Sequence, residues 1–179
     1  ALELGNEKFI NGIKDFGIGE ELSFEYPMQE SQISNDGDLS REILLADTGY
    51  GQGEIMVTPL HVALSYSALA NNGDIMQPRL VVSENSEAKV WKQGAIAKEN
   101  LPILIDSFTA LINDAGATIP DGAVPGFRVA GKTGTAEIKK SQDDTSGTEN
   151  GWFVSVDPDT SKISISMIIE DVKDRGHSH

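Results

Sequence analysis

The sequence predicts an α/β fold of the segregated α+β type, an antiparallel sheet flanked by helices, and three observations carry that expectation. Apolar residues recur at helical spacing through the first two thirds of the chain. The period switches to two after Gly126, and Asp157-Pro158-Asp159 supplies a turn suited to pairing the last two strands antiparallel. The helical part is expected over about residues 1–115 and the sheet part over about 126–172.

Asn6 is the predicted cap of a first helix, with Phe9, Ile10, Ile13 and Phe16 on one face and Gly17 where a left-handed C-terminal cap belongs. Residues 19–38 hold no sustained period and are rich in Glu, Ser, Asn and Gln, so an irregular surface connection is expected. Thr58-Pro59 is an N-cap followed by proline at the first helical position, and Asn71-Asn72-Gly73 closes that helix. Leu60, Val62, Ala63, Leu64, Ala68 and Leu69 cover most of its circumference, which predicts burial on several sides. A third helix follows Asn100, with Leu101, Leu104, Ile105, Phe108, Leu111 and Ile112 at spacings of three and four. Strands are expected over 127–138, 152–156 and 163–169. In the last of these Ile163, Ile165, Met167 and Ile169 alternate with Ser164 and Ser166. The polar run from Lys139 to Asn150 is expected to be a mobile loop at the rim of the sheet.

Composition narrows the function classes. At 179 residues with 39% apolar content the chain has the size and the material for one ordinary core. No apolar run approaches the roughly 20 residues that span a bilayer, so any membrane anchor is expected outside the chain. With no cysteine there is no disulfide, thiolate zinc site or cysteine nucleophile. The net charge of −14 argues against nucleic acid or an anionic lipid surface as a partner, because phosphate binding is driven by clustered Lys and Arg.

The most informative stretch is Val129-Ala130-Gly131-Lys132-Thr133-Gly134-Thr135-Ala136-Glu137, which places a cation, two hydroxyls and two glycines on one predicted strand. Around it, in order, lie Ala46-Asp47-Thr48-Gly49-Tyr50-Gly51-Gln52-Gly53-Glu54, Thr58-Pro59, Tyr66-Ser67-Ala68-Leu69-Ala70-Asn71-Asn72-Gly73 and Gly151-Trp152-Phe153. In that order and spacing the chain resembles the transpeptidase domain of class B penicillin-binding proteins, most nearly the low-affinity Gram-positive group that includes the methicillin-resistance protein. The resemblance runs from Ala1-Leu2-Glu3-Leu4-Gly5 to Glu170-Asp171-Val172.

That resemblance implies an incomplete penicillin-binding-protein and β-lactamase-like fold. It implies a parent that cross-links peptidoglycan through a serine acyl-enzyme and is a target of β-lactams, with links to cell shape and antibiotic resistance. In the family the nucleophile belongs to a Ser-x-x-Lys motif and a Ser-x-Asn motif follows it, both upstream of the segment that Ala1–Gly5 matches. No nucleophile is therefore expected in this chain. It is read as the C-terminal portion, residues 1–179, of one transpeptidase domain, inactive alone and partnered by its missing N-terminal half. The family also continues past the point matched by His179 into a final helix that covers the sheet.

By the same resemblance Lys132, Thr133, Gly134 and Thr135 form the catalytic strand. Lys132, Thr133 and Thr135 would hold a substrate carboxylate, because a stem peptide ending in D-Ala-D-Ala carries one, and Thr135 would offer its backbone N–H to the oxyanion. Gly131 and Gly134 are expected to let a peptide or β-lactam lie close to the strand. Strict alternation puts Lys132 and Thr133 on opposite faces, so both serve one site only at a sheet edge or in a twisted strand. No cofactor and no metal are implied. The parent is expected at the extracytoplasmic face of the bacterial membrane, anchored by an N-terminal segment. A serine β-lactamase, a β-lactam sensor and a non-catalytic binding module remain the alternative classes.

Several features are weighed and set aside. Ser83-Glu84-Asn85 and Ser86-Glu87-Ala88-Lys89 fit the two missing motifs. They abut in reversed order within a polar run between Leu80-Val81-Val82 and Val90-Trp91, where a turn is expected rather than the shielded helix start a serine nucleophile needs. The glycine-rich run 49–53 lacks the Gly-Lys-Ser/Thr ending of a phosphate loop and is expected to pack as a structural turn beneath the site. His61 reads as a packed histidine, and Glu54 and Glu137 as anchors of loop and strand. His177 and His179 form a terminal His-Ser-His with no metal expected. Trp152 and Phe153 are assigned to the core, while Tyr50 is left between core and rim.

Overall fold

Helix α1 spans Asn6–Lys14 and begins at Asn6 itself, with Gly5 as its N-cap. Asn6 is thus one position inside the helix, where its Oδ1 accepts from the Glu7 backbone N–H at 2.7 Å. Gly17 ends the segment as predicted, at φ 77°. A side chain there would also collide with Trp91, whose ring lies 2.1 Å from the position a Cβ would take. The computed structural model describes residues 1–81, 87–113, 119, 122–139, 144, 146–161, 163–173 and 175.

Residues 19–38 are irregular but not merely superficial. Leu22, Ser31, Ile33 and Ser34 are buried, and Gln32 forms an isolated antiparallel bridge with Met56. Ile33 and Leu39 pack with Leu44 and Leu45 of helix α2, Glu42–Thr48, against Phe9, Ile10 and Ile13 of α1. This is the first of two cores among the described residues. Helix α2 escapes sequence periodicity because it has only two turns, and its N-cap Arg41 makes no side-chain capping bond.

Helix α3 spans Pro59–Ser67. Thr58 Oγ1 accepts from the His61 backbone N–H at 3.2 Å, and proline occupies the first helical position. The helix stops earlier than the apolar pattern implies, and Ala68–Gly73 continue as turns, with Asn72 and Gly73 at positive φ. Only His61 in α3 is fully buried; its other side chains are half-covered.

Beyond the sheet predicted from sequence, Ile75–Met76 (β1) and Val90–Lys92 (β2) form a short antiparallel pair. Ser83 to Ser86 of the two decoy motifs lie outside the described residues. A 3₁₀ turn at Lys98–Asn100 leads into α4, Leu101–Asn113, as its amphipathic pattern predicts. Leu101, Leu104, Ile105 and Phe108 of α4 join Tyr66 and Leu69 over Ala130 and Val156, the second core. The Tyr66 and Phe108 rings meet at 5.3 Å between centroids.

Three strands, β3 (Ala130–Ile138), β4 (Thr148–Val156) and β5 (Ser164–Ile169), form an antiparallel sheet in chain order. The predicted first strand begins three residues late, because Phe127–Val129 are not paired. The second begins four residues early: Thr148, Glu149 and Asn150 pair with Ile138, Glu137 and Ala136. The polar rim connection is correspondingly shorter than expected. Asp157 makes the predicted turn, its Oδ1 accepting from the backbone N–H groups of Asp159 and Thr160, each at 3.0 Å.

Candidate active site

Pairing sets the site before any side chain does. Strand β3 is bonded to β4 alone, so among the described residues it is an edge strand. Its register places Lys132 opposite Val154, Thr133 opposite Phe153, Gly134 opposite Trp152 and Thr135 opposite Gly151. Lys132 and Thr135 are exposed, and Thr133 and Gly134 are half-buried.

The edge removes the conflict posed by strict alternation. Lys132 leaves one face of the strand, but its long stem brings Nζ to donate to the Thr133 carbonyl at 2.6 Å. The ammonium therefore lies at the rim between Lys132 and Thr133. One cation and two hydroxyl-bearing residues share this stretch of open edge, a donor set suited to a carboxylate.

The two glycines of the strand differ. A Cβ on Gly131 would lie 2.7 Å from the Val154 carbonyl oxygen and 2.8 Å from Ile112 Cδ1, so this glycine admits α4 rather than a ligand. The expectation that Gly131 clears space for substrate is corrected accordingly. Among the described residues Gly134 has only Trp152 Cβ nearby, at 3.6 Å, and its face is open.

The loop 49–53 lies against the same edge. Gly51 and Gly53, at φ 86° and 76°, flank Gln52. The Gln52 backbone N–H donates to the Asp47 carbonyl at 2.9 Å, which ties the loop back to the end of α2. From there Gln52 Nε2 donates to the Thr135 carbonyl at 2.8 Å. Tyr50 belongs to the rim, 70% exposed. Its hydroxyl donates to Asp47 Oδ1 at 2.8 Å, and that bond to a carboxylate holds the phenol above its ordinary pKa. Sequence reading took the run as a turn and missed Gln52, whose contact crosses 83 positions of sequence.

Both carboxylates act as anchors. Glu54 accepts from the Asn35 backbone N–H and from Arg41, each at 2.9 Å, and these bonds, the backbone one foremost, hold its carboxyl below the ordinary range. Glu137 pairs with Lys139 at 2.5 Å, which holds the lysine above its ordinary pKa. His61 is a buried strut, as expected. Its Nδ1 meets Ser31 Oγ at 2.5 Å and its Nε2 meets the Phe16 carbonyl at 2.7 Å. Only an N–H can meet a carbonyl, so Nε2 carries the proton and Nδ1 accepts from the serine. Burial pushes this histidine's pKa below 6.5.

Trp152 and Phe153 are half-buried on opposite faces of β4. Among the described residues no group of three or more His, Cys, Asp and Glu could hold a metal ion, and no helix is long and apolar enough to cross a membrane. His177 and His179 lie outside the described residues.

Comparison with known proteins places this geometry in a family. A family model described as the penicillin binding protein transpeptidase domain matches residues 1–179. Penicillin-binding protein 3 of Bacillus subtilis is 42% identical over the whole chain, which covers 27% of that relative. Stage V sporulation protein D of the same organism is 30% identical, the match covering 85% of the chain and 24% of the relative. Peptidoglycan D,D-transpeptidase MrdA of Haemophilus influenzae is 28% identical, covering 95% of the chain and 30% of the relative.

Among solved structures, the apo transpeptidase domain of Burkholderia pseudomallei penicillin-binding protein 3 superposes with a TM-score of 0.78 at 21% identity, over 96% of this chain and 51% of that one. Penicillin-binding protein A of Mycobacterium tuberculosis, solved as a ceftriaxone acyl-enzyme, gives 0.78 at 22% identity, over 97% of this chain and 40% of that one. At those identities the structures establish the fold, while the full-length family match establishes kinship. The chain thus spans roughly a quarter of its curated relatives and belongs to the penicillin-binding protein transpeptidase domain family, as part of a class B member.

Proposed function

We propose that the protein carrying this chain is a peptidoglycan cross-linking D,D-transpeptidase that works through a serine acyl-enzyme and is acylated by β-lactams. The observation that carries the reading is an open-edged strand on which Lys132, Thr133 and Thr135 lie together. A donor stem peptide ending in D-Ala-D-Ala lies along this edge. Lys132 and the threonine hydroxyls meet its terminal carboxylate, and the Thr135 backbone N–H stabilises the oxyanion, a kind of contact typically worth about 3–4 kcal/mol per donor. Gly134 leaves room for the ligand on its face. The chain is the C-terminal portion of the transpeptidase domain, and the serine comes from the portion that precedes it. The protein acts at the extracytoplasmic face of the membrane, held there by an N-terminal anchor. The order of the glycine-rich run, the Thr58-Pro59 helix start and the Lys-Thr-Gly strand supports membership of the low-affinity Gram-positive group.

The test is acylation by a fluorescent penicillin, read on a denaturing gel. The whole protein is expected to take up a persistent label, and this chain alone none. Lys132→Ala in the whole protein slows labelling by on the order of 10²-fold or more with folding little changed. Unaltered labelling of that variant refutes the assignment of the strand as the site. A label lost by rapid hydrolysis identifies a β-lactamase instead.

A further inference from the structure

A peptide that adds to an open strand edge bonds to the outward-pointing backbone groups of alternate residues. On β3 the carbonyls of Thr133 and Thr135 lie two positions apart and so point to the same edge of the strand. Each is met by a side chain of the chain itself: Lys132 Nζ on Thr133 at 2.6 Å, and Gln52 Nε2 on Thr135 at 2.8 Å. The two donors are held differently. Lys132 is a neighbour on the strand with a flexible stem, whereas Gln52 is delivered from a loop tied to the end of α2 by the bond from its own N–H to the Asp47 carbonyl. The loop is built for close approach, since a Cβ on Gly53 would stand 3.0 Å from Leu44 Cδ1 and 3.2 Å from Thr48 Oγ1 of α2. A Gln52 primary amide presents the same N–H donor that a secondary amide of an arriving acyl chain would present.

Resting on the transpeptidase reading above, we propose that Gln52 is a positioning residue that guards the peptide-binding edge: its side-chain amide occupies the Thr135 carbonyl in the resting site and must be displaced by an amide N–H of the incoming substrate or inhibitor. Displacement exchanges one hydrogen bond for another. Ligands that bring an amide N–H recover the bond, and those that do not leave Gln52 in place. Gln52 thus sets a preference between ligand classes without touching the reacting atoms.

The experiment measures second-order acylation of the whole protein by benzylpenicillin, which carries an acylamino N–H, and by a carbapenem, which carries a hydroxyethyl group there. In Gln52→Ala the penicillin rate is expected to rise roughly fivefold, the equivalent of about one net hydrogen bond, while the carbapenem rate stays within about twofold. The similarly sized Gln52→Met, which has no N–H to donate and adds no charge, gives the same divergence and stands in if the alanine variant unfolds. Equal shifts with both compounds, or a fall with the penicillin alone, overturn the proposal. A wild-type protein that neither compound acylates sinks the transpeptidase reading and this inference with it, whereas acylation by both with parallel shifts sinks the inference alone.

Discussion

Replacing Gly131 tests whether that glycine serves packing or ligand binding, and the outcome can be worked from contact distances. An added Cβ would sit 2.7 Å from the Val154 carbonyl oxygen, 2.8 Å from Ile112 Cδ1 and 3.2 Å from Ser155 Cβ. Optimal carbon contacts lie at about 3.5–4.0 Å, so each neighbour must retreat by several tenths of an ångström. Ile112 is 1% exposed and Val154 is fixed by pairing on both sides, to Lys132 and to Ser166, so neither can retreat freely. Overpacking of this kind costs about 1–3 kcal/mol, and the lower entropy of the unfolded alanine chain returns about 0.4–1 kcal/mol. Gly131→Ala should therefore destabilise by roughly 1–2 kcal/mol, which for a chain of this length lowers Tm by roughly 2–8 °C. Gly134→Ala is the control, because its nearest atom stands at an ordinary 3.6 Å, and its Tm should stay within about 2 °C. Thermal unfolding of the chain and both variants, followed by circular dichroism, decides the matter. Equal Tm values for wild type and Gly131→Ala, or a larger loss at Gly134, refute the assignment of Gly131 to the α4 contact.

Two further outcomes are expected. His61 is held neutral, with its folded pKa below the unfolded 6.5, so its contribution is complete above pH 6.5 and is lost as pH falls below it. The urea midpoint should drop between pH 7.5 and 5.5, less steeply in His61→Gln; parallel slopes would exclude the histidine. The chain should also self-associate at micromolar concentration, because Ile163, just before β5, and Ile165, Met167 and Ile169 within it are 43–53% exposed on what is, among the described residues, an edge strand. Sedimentation showing a clean monomer that binds no hydrophobic dye would refute this.

Much of the architecture was legible because its signals are local. Helix α4 announces itself through six apolar residues at spacings of three and four, and α3 through Thr58-Pro59, since cap and period both act within one or two turns. The elements that escaped depend on distant partners. Thr148–Asn150 are polar, and they become strand because Ala136–Ile138 lie opposite them. The β1–β2 pair joins two short runs 14 positions apart at the closest, and α2 is fixed by the core it shares with α1 and not by its own period. The site divides in the same way. Lys132, Thr133 and Thr135 are contiguous and could be picked out as a motif, whereas the edge position that brings them together and the Gln52 contact are products of folding.

The sheet shows why alternation alone names two faces without saying which is covered. In β5 Ile165, Met167 and Ile169 are the exposed residues, while Ser164 and Ser166 turn toward α3 and Ile168, half-buried, shares their face. Register puts those serines opposite Val156 and Val154, so the face α3 covers carries valines on β4 and small polar side chains on β5. Small residues let the helix approach closely enough for Ser164 Oγ to donate to the Ala63 carbonyl at 2.7 Å, a contact an isoleucine would prevent. Ser166 Oγ is buried without a hydrogen-bond partner among the described residues, a cost this close packing must offset. Ile165, Met167 and Ile169 are thereby turned to the opposite face, where burying them requires a further element or another copy of the chain. Lys132 shares the valine-bearing face, since it stands opposite Val154, and its ammonium reaches the rim from there. The packing that commits β5 to α3 therefore also determines from which face the cation arrives at the open edge.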